Sequence, residues 1–136
     1  MQINKGYREI EHTADWELRV WGPDIVALLE TAAQGMYALS QTRLVSGSKE
    51  VREFVIRYDD QESLLVDFLT ELLFIGEDEG IGFDKFKFDL CEDTLKTHAK
   101  GAPIENQTKE IKAVTYHELQ IREVEGGLEV HIVFDV

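Results

Sequence analysis

The strongest constraint on how this chain folds is a change of hydrophobic period at Gly22-Pro23-Asp24. Before it, Trp16, Leu18 and Val20 alternate with Glu17, Arg19 and Trp21, the period-two signature of a half-buried strand. After it, Ile25, Leu28, Leu29, Ala32, Met36 and Leu39 recur at helical spacing, so a helix follows with one face turned inward. Asp24 stands where a carboxylate accepts an orphan N–H of the first turn. A strand delivered straight into an amphipathic helix needs a layered core with sheet against helix.

The rest of the chain repeats this grammar. Val51 to Tyr58 is β-branched and aromatic and predicts a strand, and Asp59-Asp60 supplies a capping signal for a second helix. Leu65, Phe68, Leu69, Leu72 and Leu73 line that helix's buried stripe, and the segment Gly76 to Gly82 is expected to end it. Phe83, Phe86 and Phe88 open a strand region reaching about Leu90, and Thr94 to Lys100 predicts another. Gly101 to Glu110 reads as a polar loop. Thr115 to Val124 and Leu128 to Val136 read as a hairpin joined around Gly126-Gly127, a dipeptide suited to positive φ angles. The expected class is α+β, with two helices packed on a largely antiparallel or mixed sheet, in one domain spanning residues 1–136.

Composition narrows the function. Asp plus Glu number 27 against 14 Lys plus Arg, a formal net charge of −13. Polyanion binding relies on cationic side chains displacing condensed counterions, so strong direct binding to nucleic acid or to an anionic membrane is not expected. A basic protein partner or a cation fits that charge. Cys91 is the only cysteine, which excludes an intrachain disulfide and a Cys-rich zinc site. The N-terminus lacks the apolar run of a signal peptide, and Glu30, Asp67 and Glu71 interrupt the apolar helical stretches, so the expectation is a cytoplasmic protein with no membrane span.

No Gly-rich phosphate loop, nucleophile elbow or His-Glu-x-x-His helix is present. The acidic neighbours of Cys91, Asp89, Glu92 and Asp93, raise a thiol's pKa, the reverse of activation. His12, His98, His117 and His131 show no close metal-ligand spacing. His117 shares the parity of Leu119 and Ile121 and reads as a packed or edge histidine. Glu77-Asp78-Glu79 lacks the ligand spacing of a calcium loop and reads as a solvated acidic turn.

Carboxylates at strand ends are more suggestive. Asp15 precedes the first strand with the parity of Glu17 and Arg19. Asp135 shares the parity of Glu129 and His131, opposite to Leu128, Val130, Ile132 and Phe134. Val136 adds an α-carboxylate if the chain ends there. Exposed acids at strand ends are ordinary, yet an oxygen-rich set is also what a hard cation such as Ca²⁺ or Mg²⁺ takes.

Three segments decide between these readings. Glu11-His12-Thr13-Ala14-Asp15 leads into a strand, Leu64-Leu65 is followed by Phe68-Leu69-Thr70-Glu71-Leu72-Leu73, and Ile111-Lys112-Ala113-Val114-Thr115-Tyr116-His117 precedes a hairpin ending in Phe134-Asp135-Val136. In this order and over this length the chain resembles the archease family from end to end. The resemblance implies a protein cofactor, not an enzyme, that activates an RtcB-type RNA ligase in tRNA splicing and RNA repair. It would promote guanylylation and repeated turnover of the ligase. It also implies a bound divalent cation, calcium by the family's usual assignment, held by Asp15, Asp135 and Val136. His12, Glu71, Lys112 and His117 match other motif positions and are candidates for a partner-contacting or metal-delivery surface. The chain departs from the family pattern in two places. Trp16-Glu17 stands where Ile-Gly is usual, and Gly101-Ala102-Pro103 replaces a Gly-Glu start to a loop that here lacks its histidine. Two rivals are a metal-assisted hydrolase using Asp15, Asp135 and His12, and a general chaperone or other binding module.

Overall fold

The computed structural model describes residues 3–10, 16–47 and 49–136. The elements run β1 (Gly6–Ile10), β2 (Trp16–Gly22), α1 (Ile25–Leu39), β3 (Arg43–Leu44), β4 (Glu50–Arg57), α2 (Gln61–Glu79), β5 (Ile81–Cys91), β6 (Thr94–Asn106), β7 (Ala113–Val114), β8 (Arg122–Val124) and β9 (Gly127–Asp135). All described pairings are antiparallel, and they build two sheets where one was expected. In the first sheet β9 lies between β2, itself paired with β1, and the short strands β7 and β8 on its other edge. In the second, β6 pairs with β5 along one edge and with β4 and then β3 along the other.

The helices lie between the sheets. α1 packs on β1, β2 and β9 and also reaches β5, α2 packs on β4, β5 and β7, and the two helices touch. Burial around α1 is correspondingly broad, taking in Leu28, Leu29, Thr31, Ala32, Ala33, Gly35, Met36 and Leu39. A helix with sheet on two sides cannot keep one narrow apolar stripe. Asp24 caps α1 by accepting the Ala27 N–H at 2.8 Å, and Asp60 caps α2 by accepting the Ser63 N–H at 2.7 Å. Both caps are where the sequence puts them.

Phe68 on α2 joins this core to the second sheet. Its ring lies 5.5 to 6.3 Å from those of Phe54, Phe86 and Phe88. Phe83 is three residues before Phe86 and would face the opposite way in a regular strand. A register shift between Phe83 and Lys85 leaves Asp84 as the extra residue and returns both rings to the core side.

α2 ends at Glu79 with Gly80, at a φ of 70°, as its left-handed cap, inside the Gly76 to Gly82 segment expected to end it. Two boundaries differ from the sequence expectation. β6 continues six residues past Lys100, through Gly101-Ala102-Pro103. The Pro103 carbonyl accepts from Val45 at 2.8 Å, on the edge where pairing passes from β4 to β3, so the missing N–H interrupts no ladder. Gly101 is required there, because a Cβ would collide with the Gly82 carbonyl and the Phe83 Cα. Finally, residues 115–121 are not strand. β9 is paired at its two ends by β8 and β7, and the chain between them leaves the sheet through a turn with Glu118 at φ 49°. The Ile121 N–H donates at 2.8 Å to the Glu62 carboxylate on α2. In the closing hairpin Gly126 takes the positive φ of 82°, while Gly127 opens the strand.

Candidate functional site at one end of the first sheet

β9 carries the site. Its even residues Val130, Ile132 and Phe134 are buried, so Glu129, His131, Val133 and Asp135 face outward. Across the β2–β9 ladder Trp21 lies opposite Glu129, Arg19 opposite His131 and Glu17 opposite Val133. The middle of this face is an ion-pair network. Arg19 donates to Glu129 at 2.7 and 3.1 Å, Arg122 reaches the same carboxylate at 3.2 Å, and the His131 Nδ1 lies 3.0 Å from Glu17. The Arg19 hydrogen bond, against the opposing effect of burial, holds the Glu129 carboxyl below its ordinary value.

His117 is neither packed nor on a strand edge. It is exposed in the turn after β7, where its N–H meets the Thr115 hydroxyl at 3.3 Å. With Glu17, Glu118, Arg122, His131 and Val133 it lines an open cleft of about 300 Å³. Sequence reasoning weighed His131 only for metal-ligand spacing and strand parity, used Arg19 as a parity marker, took Glu17 as a parity marker and a departure from the family pattern, and did not name Arg122. The available signal was their shared outward parity on strands now seen to be neighbours.

At the far end of β9 two strands meet it, one on each side. Trp16, which directly follows the Glu11–Asp15 segment, pairs with Phe134 on one side. On the other side Ala113 and Val114 pair with Asp135 and Phe134, and the Lys112 N–H donates to the Asp135 carbonyl at 2.8 Å. The Asp135 side chain is exposed, and Val136 packs half-buried against the core. Lys112 is exposed beside the apolar groove between α1, α2 and β7 that Met36, Leu73, Phe74 and Ile111 line. Glu71 is half-buried on α2 and makes no ion pair or hydrogen bond among the described residues, as a residue bordering the apolar stripe would. His12 and Asp15 lie outside the described residues. Trp16, at the position that departs from the family pattern, is covered by the Lys109 ammonium 4.2 Å from its ring centroid. That contact ties the 107–112 connection to the start of β2.

Among the described residues no group of three or more His, Cys, Asp or Glu side chains is placed to hold a metal ion. Asp135 and Val136 supply a carboxylate and main-chain oxygen, the donor type a hard cation takes.

Residues 7–136 match the Archease protein family (MTH1598/TM1083). The chain belongs to the archease family. It is 34% identical to protein archease of Methanosarcina mazei over 97% of each chain. It is also 34% identical to protein archease of Methanothermobacter thermautotrophicus, over 97% of this chain and 99% of that one. A crystal structure from Thermotoga maritima, described as an archease and possible chaperone, superposes with a TM-score of 0.72 at 25% identity, covering 95% of this chain and 96% of that one. These relatives bear the name archease and not that of an enzyme. The archease fold is α+β, as the sequence reading expects. Among the described residues no helix is long and apolar enough to cross a membrane.

Proposed function

We propose that this archease-family protein is a non-catalytic activator of an RtcB-type RNA ligase in tRNA splicing and RNA repair. The observation that supports it most is the convergence at the end of β9. The strand that follows the Glu11–Asp15 segment and the strand inside the Ile111–His117 segment both pair with Phe134-Asp135. Strands far apart in sequence thereby meet at one end of the sheet.

Asp15, Asp135 and the α-carboxylate of Val136 would hold a hard divalent cation, calcium by family resemblance, whose contribution when bound is to neutralise their charge. Without such neutralisation each pair of like charges at about 4 Å costs roughly 1 to 4 kcal/mol in surroundings between water and a protein surface. The acidic rim would dock at the cationic nucleotide and RNA entrance of the ligase. His117 and Lys112, near that edge, would contact it, while His12 and Glu71 join the proposed surface by motif position. Stimulation requires that archease bind the guanylylation-competent ligase more tightly than its competitor state.

The test is multiple-turnover RNA ligation by the cognate ligase with GTP, with and without this protein. Substoichiometric stimulation is the expected result; an active ligase that gains nothing refutes the reading. Asp135→Ala should weaken cation affinity and stimulation together, read by calorimetric titration with Ca²⁺ and by the same assay. Full stimulation by that variant removes the cation from the mechanism. The possible-chaperone description of the Thermotoga relative supports a second reading, which predicts suppressed aggregation of unrelated clients without metal dependence.

A further inference from the structure

The net charge of −13 averages over a molecule whose charges are segregated. The outer face of the second sheet is the exception to its acidity. There β4, β6 and β5 lie side by side, with their alternate residues Phe54, Ile56, Leu95, Thr97, Ala99, Phe86 and Phe88 turned to the core. The residues turned outward include Arg57, Lys85, Lys87, Lys96 and Lys100, five of the 14 Lys and Arg in the chain. Among the described residues Glu53 and Asp89 share the face, with Asp84 in the bulge at the β5 edge and Glu30 of α1 beside Lys85 and Lys100.

The arrangement is a lattice of cations. Lys85 lies directly opposite Lys100, and Lys87 opposite His98. Alternate residues on a strand are about 6.6 Å apart, so the amines tile a flat area instead of meeting at one point. Like charges directly opposite on neighbouring strands are destabilising. Asp89 lies opposite Lys96, yet none of the four lysines or Arg57 makes an ion pair among the described residues. Glu53 is taken up by His98 at 3.2 Å.

We infer that this lysine face of the second sheet docks the phosphate backbone of double-stranded RNA. An acidic protein surface is the less suitable occupant. Protein interfaces are depleted in Lys and built on aromatic or Arg anchors, whereas the apolar residues here are Val51 and Val55 at the margin. No aromatic ring projects from the face, so stacking on unpaired bases is not served. A flat cationic face meets the wide, shallow groove and flanking phosphates of an A-form duplex. Acidic residues elsewhere do not prevent this at physiological salt, because screening confines exposed charges to about 8 Å. The inference is independent of ligase activation: RNA docking with no ligase stimulation leaves it standing.

The experiment uses the full chain and a fluorescein-labelled RNA duplex, followed by anisotropy across a salt series. We expect weak, sequence-independent binding whose logarithmic salt slope is about −4, the value for some five displaced counterions. The K85E/K87E/K96E/K100E variant, checked for folding by circular dichroism, should lose binding at least tenfold. In the unsubstituted protein, RNA should protect Lys85, Lys87, Lys96 and Lys100 from acetylation and leave Lys5 reactive. Absence of binding at low salt overturns the inference, as does protection elsewhere. A DNA duplex, anionic phosphatidylserine vesicles or polyglutamate competing as well as unlabelled RNA also overturns it.

Discussion

Two residues expose the difference between a polar group that is satisfied and one that is not. The Thr97 hydroxyl is buried on the inner face of β6 without a hydrogen-bond partner. A buried group left unpaired costs more than its deletion, so Thr97→Val, which keeps the shape, should stabilise the protein by about 1 kcal/mol in urea denaturation. Glu129 is the opposite case, since Arg19 and Arg122 both bind its carboxylate. Its folded-state pKa lies below the ordinary 4.5, so its contribution is present above that value and is lost as pH falls through the depressed one. Glu129→Gln should therefore be less stable than the parent at pH 6, and the gap should narrow as pH falls below the ordinary carboxyl value, read from denaturation midpoints. An unchanged gap would mean that the network contributes packing and not charge.

Among elements, β5 shows how one residue sets a face. Asp84 matters as a spacer: the shift between Phe83 and Lys85 is what points Phe86 and Phe88 at Phe68. Deleting Asp84 removes only the extra residue and leaves Phe83 and Phe86 two positions apart, so both rings should keep facing the core and unfolding should stay cooperative. One residue inserted between Lys85 and Phe86 should instead turn Phe86 and Phe88 outward, because a one-residue slip exchanges the faces of a strand. Each exposed Phe costs about 1.5 to 3 kcal/mol, together a large share of a typical 5 to 15 kcal/mol of stability, so the insertion should abolish cooperative unfolding in urea. Phe83 and Phe86 do not share a period of two, and sequence periodicity has no register for a bulge.

For the whole molecule the dominant field is its own repulsion. A net charge of −13 destabilises the compact state, and salt relieves it by shortening the range of that repulsion. The thermal midpoint should rise by several degrees between low ionic strength and about 0.5 M NaCl, since about 1 kcal/mol moves a chain of this size by a few degrees. A falling midpoint would show that the ion pairs on the β2–β9 face outweigh the net repulsion. What the amino-acid sequence determined here is local. The Asp24 and Asp60 caps, the alternation of β2 and the stripe of α2 each depend on neighbours within a few residues, and each was legible. The parity of Asp135 was legible for the same reason. The tertiary structure decided what those elements meet. Residues 115–121 have strand-like composition, yet β9's edge is taken at both ends by β8 and β7, and Glu62 takes up the Ile121 N–H. Gly101-Ala102-Pro103 reads as a loop until β5 and β3 are there to pair with it. The Glu17–His131 contact and the lysine lattice likewise exist only once strands distant in sequence lie side by side, because hydrogen-bonded pairing has no trace in the residues of one strand alone.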